Sequence, residues 1–130
     1  MPTLSDIMRP ELIEVAPEDT LGEVAERMNA LNMGAAAVKD FGRLIGIITE
    51  RDLLKAMAER VHTSEARVRQ WMTEDPITAA ADTDVEDAAE TMLEHGFRHL
   101  PVVDDNGALV GLVLEPLAAA LALEVEEVRP

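Results

Sequence analysis

Hydrophobic positions along this chain follow two rhythms, and the two rhythms occur in the same order twice. Short apolar runs, "LIEV" near the start and "PITAA" past the middle, suit strands. Each is followed by a stretch with apolar residues three and four apart. In the first, Leu21, Val24, Ala25, Met28 and Leu31 share one helix face; in the second, Val85, Ala88, Ala89 and Met92 do. Thr20 with Glu23, and Asp84 with Asp87, stand where N-cap residues belong. The next runs, "GAAAV" and "HLPVV", read as strands again. Tight turns follow, "KDFG" and "DDNG", and Asn106–Gly107 is a hairpin signal because both residues tolerate positive φ. A further strand, "RLIGIIT" or "ALVGLVL", leads into a last helix.

The order β-α-β-β-α therefore appears twice, and the residues repeat with it. At an offset of 64, Met8 falls on Met72, Ile13 on Ile77, Ala25 on Ala89, Met28 on Met92 and Val38 on Val102. One residue is added in the second turn. Beyond it Leu44, Gly46 and Glu50 fall on Leu109, Gly111 and Glu115. A helical connection suits a parallel pair and a tight turn an antiparallel one, so each half predicts a mixed sheet. The fold class is α/β, mixed α+β, with two repeats that each need a partner to close a core. The expected division is residues 1–62 for the first repeat with its N-terminal segment, 63–70 for a linker, and 71–130 for the second repeat with a C-terminal helix. Thr63 or Ser64 is placed to cap a short helix in the linker, and Trp71 to be buried where the halves join.

Composition narrows the function. The 130 residues hold two Phe, one Trp and no Tyr, so the core is aliphatic. Without cysteine there is no disulfide framework and no Cys-based zinc site. No apolar run approaches a membrane span, and "MPTLSDIMRP" does not read as a signal peptide, so a soluble cytoplasmic protein is expected. A net charge of −15 argues against nucleic acid, whose non-specific affinity rests on Lys and Arg neutralising phosphates. The acidic run "EVEEV" reads as a solvated helix end. There is no Walker A loop and no G-x-G-x-x-G, and His62, His95 and His99 lack metal-ligand spacing. No nucleophile, metal set or acid–base pair can be assembled, so the chain is not expected to be an enzyme, and no cofactor is required.

One stretch carries candidate chemistry. In "GIITERDLL", Thr49 and Asp52 stand three apart at the junction of strand and helix. That spacing suits a capping box. It also suits ligand binding: a carboxylate can accept from two ribose hydroxyls, a hydroxyl can donate to a phosphate or ribose oxygen, and a helix N-terminus favours anions.

Taken together, "LSDIM…IEVAPEDTLGEVAERM…GAAAV…GRLIGIITERDLL" and "VRQWMTEDPITAAADTDVEDAAETMLEHGFRHLPVVDDNGALVGLV" resemble tandem CBS domains, the regulatory repeats named after cystathionine β-synthase. The chain is similar to a stand-alone pair, a Bateman module, with no enzyme or channel attached. The resemblance implies two repeats packed about a pseudo-two-fold axis. It implies clefts between them for adenosine-containing ligands (AMP, ADP, ATP or S-adenosylmethionine), and further pairing into a homodimer. It also implies that G-h-h-[ST]-x-x-[DN] serves the ribose and phosphate, and that basic residues before the partner repeat's "PVVD" strand reach the phosphates.

The first repeat keeps that motif in Gly46, Thr49 and Asp52; the second has Leu114 and Leu117 in place of Thr and Asp, with Pro116 fitting a helix first turn. The basic residues show the opposite asymmetry: Arg98 and His99 precede the second "PVVD" strand, and Gly34 and Ala35 stand in the first. The family's geometry then implies one polar cleft with Thr49, Asp52, Arg98 and His99, and one apolar cleft. Each residue keeps a plainer alternative. Arg98 suits a phosphate or a surface ion pair, and His99 a ligand or a buried interface. Thr73 suits the sugar or base, or a cap on "EDP". Ile48 and Phe97 can flank an adenine or pack in the core. The expected function is a regulatory sensor binding one adenosyl ligand, with AMP or ADP favoured and a regulated protein as a possible partner. The alternative is a ligand-free dimerisation scaffold acting through a protein partner.

Overall fold

The computed structural model describes residues 2–96 and 98–114. In chain order the elements are α1 (Leu4–Ile7), β1 (Glu14–Val15), α2 (Leu21–Leu31), β2 (Ala35–Asp40), β3 (Arg43–Thr49) and α3 (Glu50–Ala58). They continue with α4 (Val68–Trp71), β4 (Thr73–Glu74), β5 (Ala79–Ala80), α5 (Val85–His95), β6 (His99–Val103) and β7 (Leu109–Leu114). The chain forms two units. One is Leu12–Pro76; the other joins Met1–Glu11 to the chain from Ile77 onward. The helix expected at the end of the second repeat, with Pro116, Leu117 and the acidic "EVEEV", falls outside the described residues.

The Leu12–Pro76 unit holds a sheet in the order β1-β2-β3-β4. β1 runs parallel to β2, with Val15 opposite Val38; β2 runs antiparallel to β3, from Ala35 opposite Thr49 to Asp40 opposite Arg43. The mixed sheet follows from the connections, as helix α2 joins the parallel pair and a two-residue turn the antiparallel one. Thr20 caps α2 by accepting the Glu23 N–H at 3.2 Å, and its own hydroxyl donates to the Glu23 carboxylate at 2.9 Å. Leu21, Val24 and Met28 bury the helix face against Ile13, Val15, Ala36, Val38 and Ile48. Leu31, the last residue of α2 before the left-handed Asn32 at φ 54°, is 58% exposed and does not join that face.

The other unit repeats the plan with three strands, β5-β6-β7. Val85, Ala88, Ala89 and Met92 of α5 pack on Leu100, Val102 and Val113. Asp84 occupies the N-cap position with extended backbone, but its side chain makes no capping hydrogen bond. The turn is satisfied locally: Asp104 Oδ1 accepts from the Asn106 and Ala108 N–H groups, both at 2.9 Å, and Gly107 alone takes positive φ, 80°.

The unit boundaries depart from the linear division at residues 62 and 71. A sheet of three or four strands with helices on one face leaves apolar edges, and each unit borrows a segment to cover them. Leu4, fully buried, sits in the core of the unit that begins again at Ile77. Its N–H donates to Thr83 O, and Arg9 and Leu112 exchange backbone hydrogen bonds of 2.9 and 3.1 Å. In the Leu12–Pro76 unit the segment between the repeats plays the equivalent part: Val68 is fully buried, and its N–H donates to Asp19 O at 2.9 Å. The short helix there starts after Arg67, whose N–H donates to the Gln70 side chain, rather than at Thr63 or Ser64. Trp71 is half-buried against the same core. Two glycines admit the borrowed methionines. A Cβ at Gly111 would meet Met8 Sδ at 2.6 Å, and one at Gly46 would meet Met72 Sδ and Thr73 O at 2.8 Å.

The β2–β3 turn differs from its counterpart. Phe41 and Gly42 both take positive φ, 51° and 76°, the pattern of a two-residue type I′ turn. A bulky residue is strained there, and Phe41 is 97% exposed, so no packing offsets the strain. Replacing Phe41 by Asn is expected to raise the unfolding free energy by about 1 kcal/mol. The check is a urea titration in which the midpoint rises at unchanged slope.

Candidate ligand site at the junction of β3 and α3

The strand ends and the helix starts on one residue pair. Thr49 is the N-cap of α3, with extended backbone at φ −120° and ψ 167°. Its side-chain oxygen accepts the Asp52 N–H at 3.3 Å, and its own N–H donates to Asp52 Oδ2 at 2.9 Å. The Thr49 hydroxyl donates to the same Oδ2 at 3.1 Å. The capping alternative read from the sequence is therefore present, with Asp52 reaching back to the Thr49 N–H. Asp52 is 9% exposed, a buried carboxylate whose hydrogen bonds fall on one oxygen. Oδ1 accepts none from a described residue. A cap of this kind holds Oδ2 and leaves Oδ1 as an oriented acceptor.

Strand register sorts the other candidates. Thr49 stands opposite Ala35, and Ile47 opposite both Ala37 and Thr73. Opposite residues, and residues two apart along a strand, share a face. Thr49, Thr73, Ile47, Ala35 and Ala37 therefore lie on one face of the sheet. Thr73 is exposed on β4 and joins Thr49 there. Ile48 points the other way. It is fully buried in the core with Val24, Met28 and Val38, which is the core-packing alternative read from the sequence. Of the small residues beside Thr49, Ala35 was read from the sequence only as standing where the second repeat has a basic residue, and Ala37 was not singled out, as "GAAAV" reads there as a strand. Its signal is the alternation of that run once paired in register.

Arg98 and His99 fall in the other unit. Arg98 is exposed just before β6, and His99, half-buried, is the first residue of β6 and pairs with Leu114. Within each sheet, then, a polar position lies beside an apolar one: Thr49 beside Ala35, His99 beside Leu114. Phe97 and Leu117 lie outside the described residues. Among the described residues no helix is long and apolar enough to cross a membrane, and no three His, Cys, Asp or Glu side chains form a metal-binding group.

With this geometry in place, comparison with known proteins is informative. The family model of the CBS domain matches residues 4–59 and again 68–115. The chain belongs to the CBS domain family and carries two such domains in tandem. It is 41% identical over 120 residues to the uncharacterized 17.7 kDa protein in the bps2 3′ region of Acidianus ambivalens, covering 91% of this chain and 72% of that protein. It is similar in structure to the CBS domain protein PAE2072 from Pyrobaculum aerophilum, solved with AMP, at a TM-score of 0.85 and 27% identity, over 97% of this chain and 99% of that one. It is likewise similar to the CBS domain pair of MJ0100, solved with 5′-methylthioadenosine and S-adenosyl-L-methionine, at a TM-score of 0.83 and 30% identity, covering 92% and 98% of the two chains.

Because Thr49 and Asp52 cap α3 whatever they bind, removing the pair has a cost in stability alone. Asp52→Ala is expected to lower the unfolding free energy by about 1 kcal/mol. Urea denaturation without ligand measures it, and an unchanged midpoint would show that the cap contributes nothing.

Proposed function

We propose that this protein is a regulatory module that binds one adenosine-containing ligand per chain, at Thr49 and Asp52. The observation that carries the reading is the Asp52 carboxylate, buried and fixed through Oδ2, with no hydrogen bond to Oδ1 from a described residue. An acceptor oriented in this way suits a ribose hydroxyl, since hydrogen bonds to charged groups are the stronger class and the cap holds the group in place before binding. Thr49 and Thr73 supply hydroxyls on the same face of the sheet. Relatives in the family solved with AMP, and with 5′-methylthioadenosine and S-adenosylmethionine, support the ligand class.

The resemblance adds Arg98 and His99 as the phosphate contacts. One Arg and one His suit a short phosphate, which favours AMP or ADP. With Leu114 where a hydroxyl stands in the first repeat, the second repeat lacks an equivalent acceptor set, so one site per chain is expected. The module works by ligand-dependent change of state in the cytoplasm and performs no catalysis. The shift it can produce is limited by the ligand's difference in affinity for the two states.

The test is a thermal-shift and calorimetric titration of nucleotide-stripped protein with AMP, ATP and S-adenosylmethionine. At least one is expected to bind, with binding lost in Asp52→Ala and weakened in Arg98→Ala, whose fold should be intact. No response to any of the three at millimolar concentration contradicts the reading. A second reading, a dimerisation scaffold with a protein partner, is favoured by exposed apolar side chains on the helices: Leu54 and Met57 on α3, and Leu93 on α5. It predicts that Asp52→Ala changes stability and no binding.

A further inference from the structure

The two ends of α3 carry different chemistry. At its start stand Thr49 and Asp52; past its end the chain turns through His62–Ala66 and enters α4. That turn borders a cavity of about 390 Å³ lined by Val61, His62, Glu65, Ala66, Gln70 and Trp71. Small-molecule sites span about 300–1,000 Å³. All six residues belong to the Leu12–Pro76 unit. The nine residues of α3, about 14 Å of helix, separate the cavity from Thr49. Its apolar side is fixed by packing: Ala66 is buried, and Val61 and Trp71 lie partly buried on the core of the unit. Its polar side is fixed by local bonds. The His62 carbonyl accepts the Glu65 and Ala66 N–H groups at 2.9 and 2.8 Å, and Gln70 Oε1 accepts the Arg67 N–H at 2.9 Å.

The lining side chains keep hydrogen-bonding capacity unspent. Gln70 commits its oxygen and leaves its amide protons for another partner. Among the described residues, none bonds to the Glu65 carboxylate, the His62 ring or the Trp71 N–H, although a partly buried indole N–H ordinarily finds a partner. Arg60, Arg67 and Arg69 flank the turn in sequence, but none lines the cavity, and Glu18 engages Arg67 and Arg69 at 2.9 and 2.7 Å. The lining thus holds one carboxylate and no Lys or Arg.

We infer that this cavity binds a small quaternary ammonium compound that carries an oxygen acceptor. Each part of the lining selects against an alternative. An anion meets the Glu65 carboxylate, and a neutral apolar molecule leaves that charge without a counterpart. A metal ion finds one carboxylate and one imidazole, too few ligands for a protein-held site. A guanidinium brings five N–H donors to a lining that is itself rich in donors. A methylated ammonium has no N–H to satisfy. It is attracted to an aromatic ring, most strongly to Trp, and Glu65 balances its charge. The ligand's oxygen accepts from Gln70 or Trp71. Two longer-range effects act the same way: the C-terminal end of a helix favours cations, and a chain of net charge −15 concentrates them.

Trp71 is the only tryptophan and the chain has no tyrosine, so its emission reads this cavity. The whole chain is titrated at constant ionic strength with choline, and with the neutral alcohol in which carbon replaces the choline nitrogen. Equilibrium dialysis with labelled choline measures binding independently of emission. Choline is expected to bind saturably in the millimolar range or below, with a matching change in Trp71 emission. The neutral alcohol, and choline on Glu65→Gln, are expected to bind at least about tenfold more weakly. Glu65 is exposed, so the variant keeps its fold, which an unchanged urea midpoint verifies. AMP and S-adenosylmethionine are expected to leave bound choline in place, an outcome that holds whether or not the adenosyl reading does. No retention of labelled choline at millimolar concentration overturns the inference. So does retention without a change in Trp71 emission, equal affinity for the neutral alcohol, undiminished binding by Glu65→Gln, or displacement by either adenosyl compound.

Discussion

The handover from β3 to α3 rests on one reciprocal pair, and the proposed function is built on it. Thr49 closes the strand and opens the helix, and Asp52 satisfies the Thr49 N–H and hydroxyl through a single oxygen. Burying a carboxylate is costly unless it is hydrogen-bonded, and here the bonds that lower the cost also fix the group's orientation. Structure and candidate function therefore share the same three bonds. A cap made by a shorter or less buried residue would start the helix equally well and present nothing to a ligand.

The two repeats solve the same packing problem and differ in chemistry. Each has too few strands to cover itself and borrows a segment carrying a buried aliphatic residue, Leu4 or Val68, and a methionine lodged over a glycine. The framework is thus kept in both halves. The polar groups are not: the first repeat ends β3 in Thr49, the second ends β7 in Leu114, paired with His99. A duplicated scaffold with unequal chemistry on its halves is consistent with a single sensing site built on a symmetric frame.

How legible this was follows from the range of each interaction. The repeat, the order of its elements up to β7 and the Thr20 cap are written in local spacing, and the described residues hold them as read. The Thr49–Asp52 pair was legible as a pair, though spacing alone left cap and ligand open because one geometry serves both. The borrowed segments were not legible: that Leu4 packs near Val85 rather than near Ile13 is a tertiary choice that no local pattern encodes. Leu31 fits the helix period and is nonetheless exposed, since periodicity does not show which turn of a helix the core reaches. Ile48 and Thr49 are adjacent in sequence and opposite in direction, and only strand register assigned one to the core and the other to the opposite face.

The central claim is one adenosyl ligand per chain, held by the first repeat's acceptor. Its most direct test is the binding stoichiometry of the unmodified protein, by equilibrium dialysis with labelled AMP and, separately, labelled S-adenosylmethionine at saturation. The account predicts a plateau at one ligand per chain for whichever of them binds. A plateau at two would show that Leu114 does not silence the second repeat, and would contradict the inequality of the two halves.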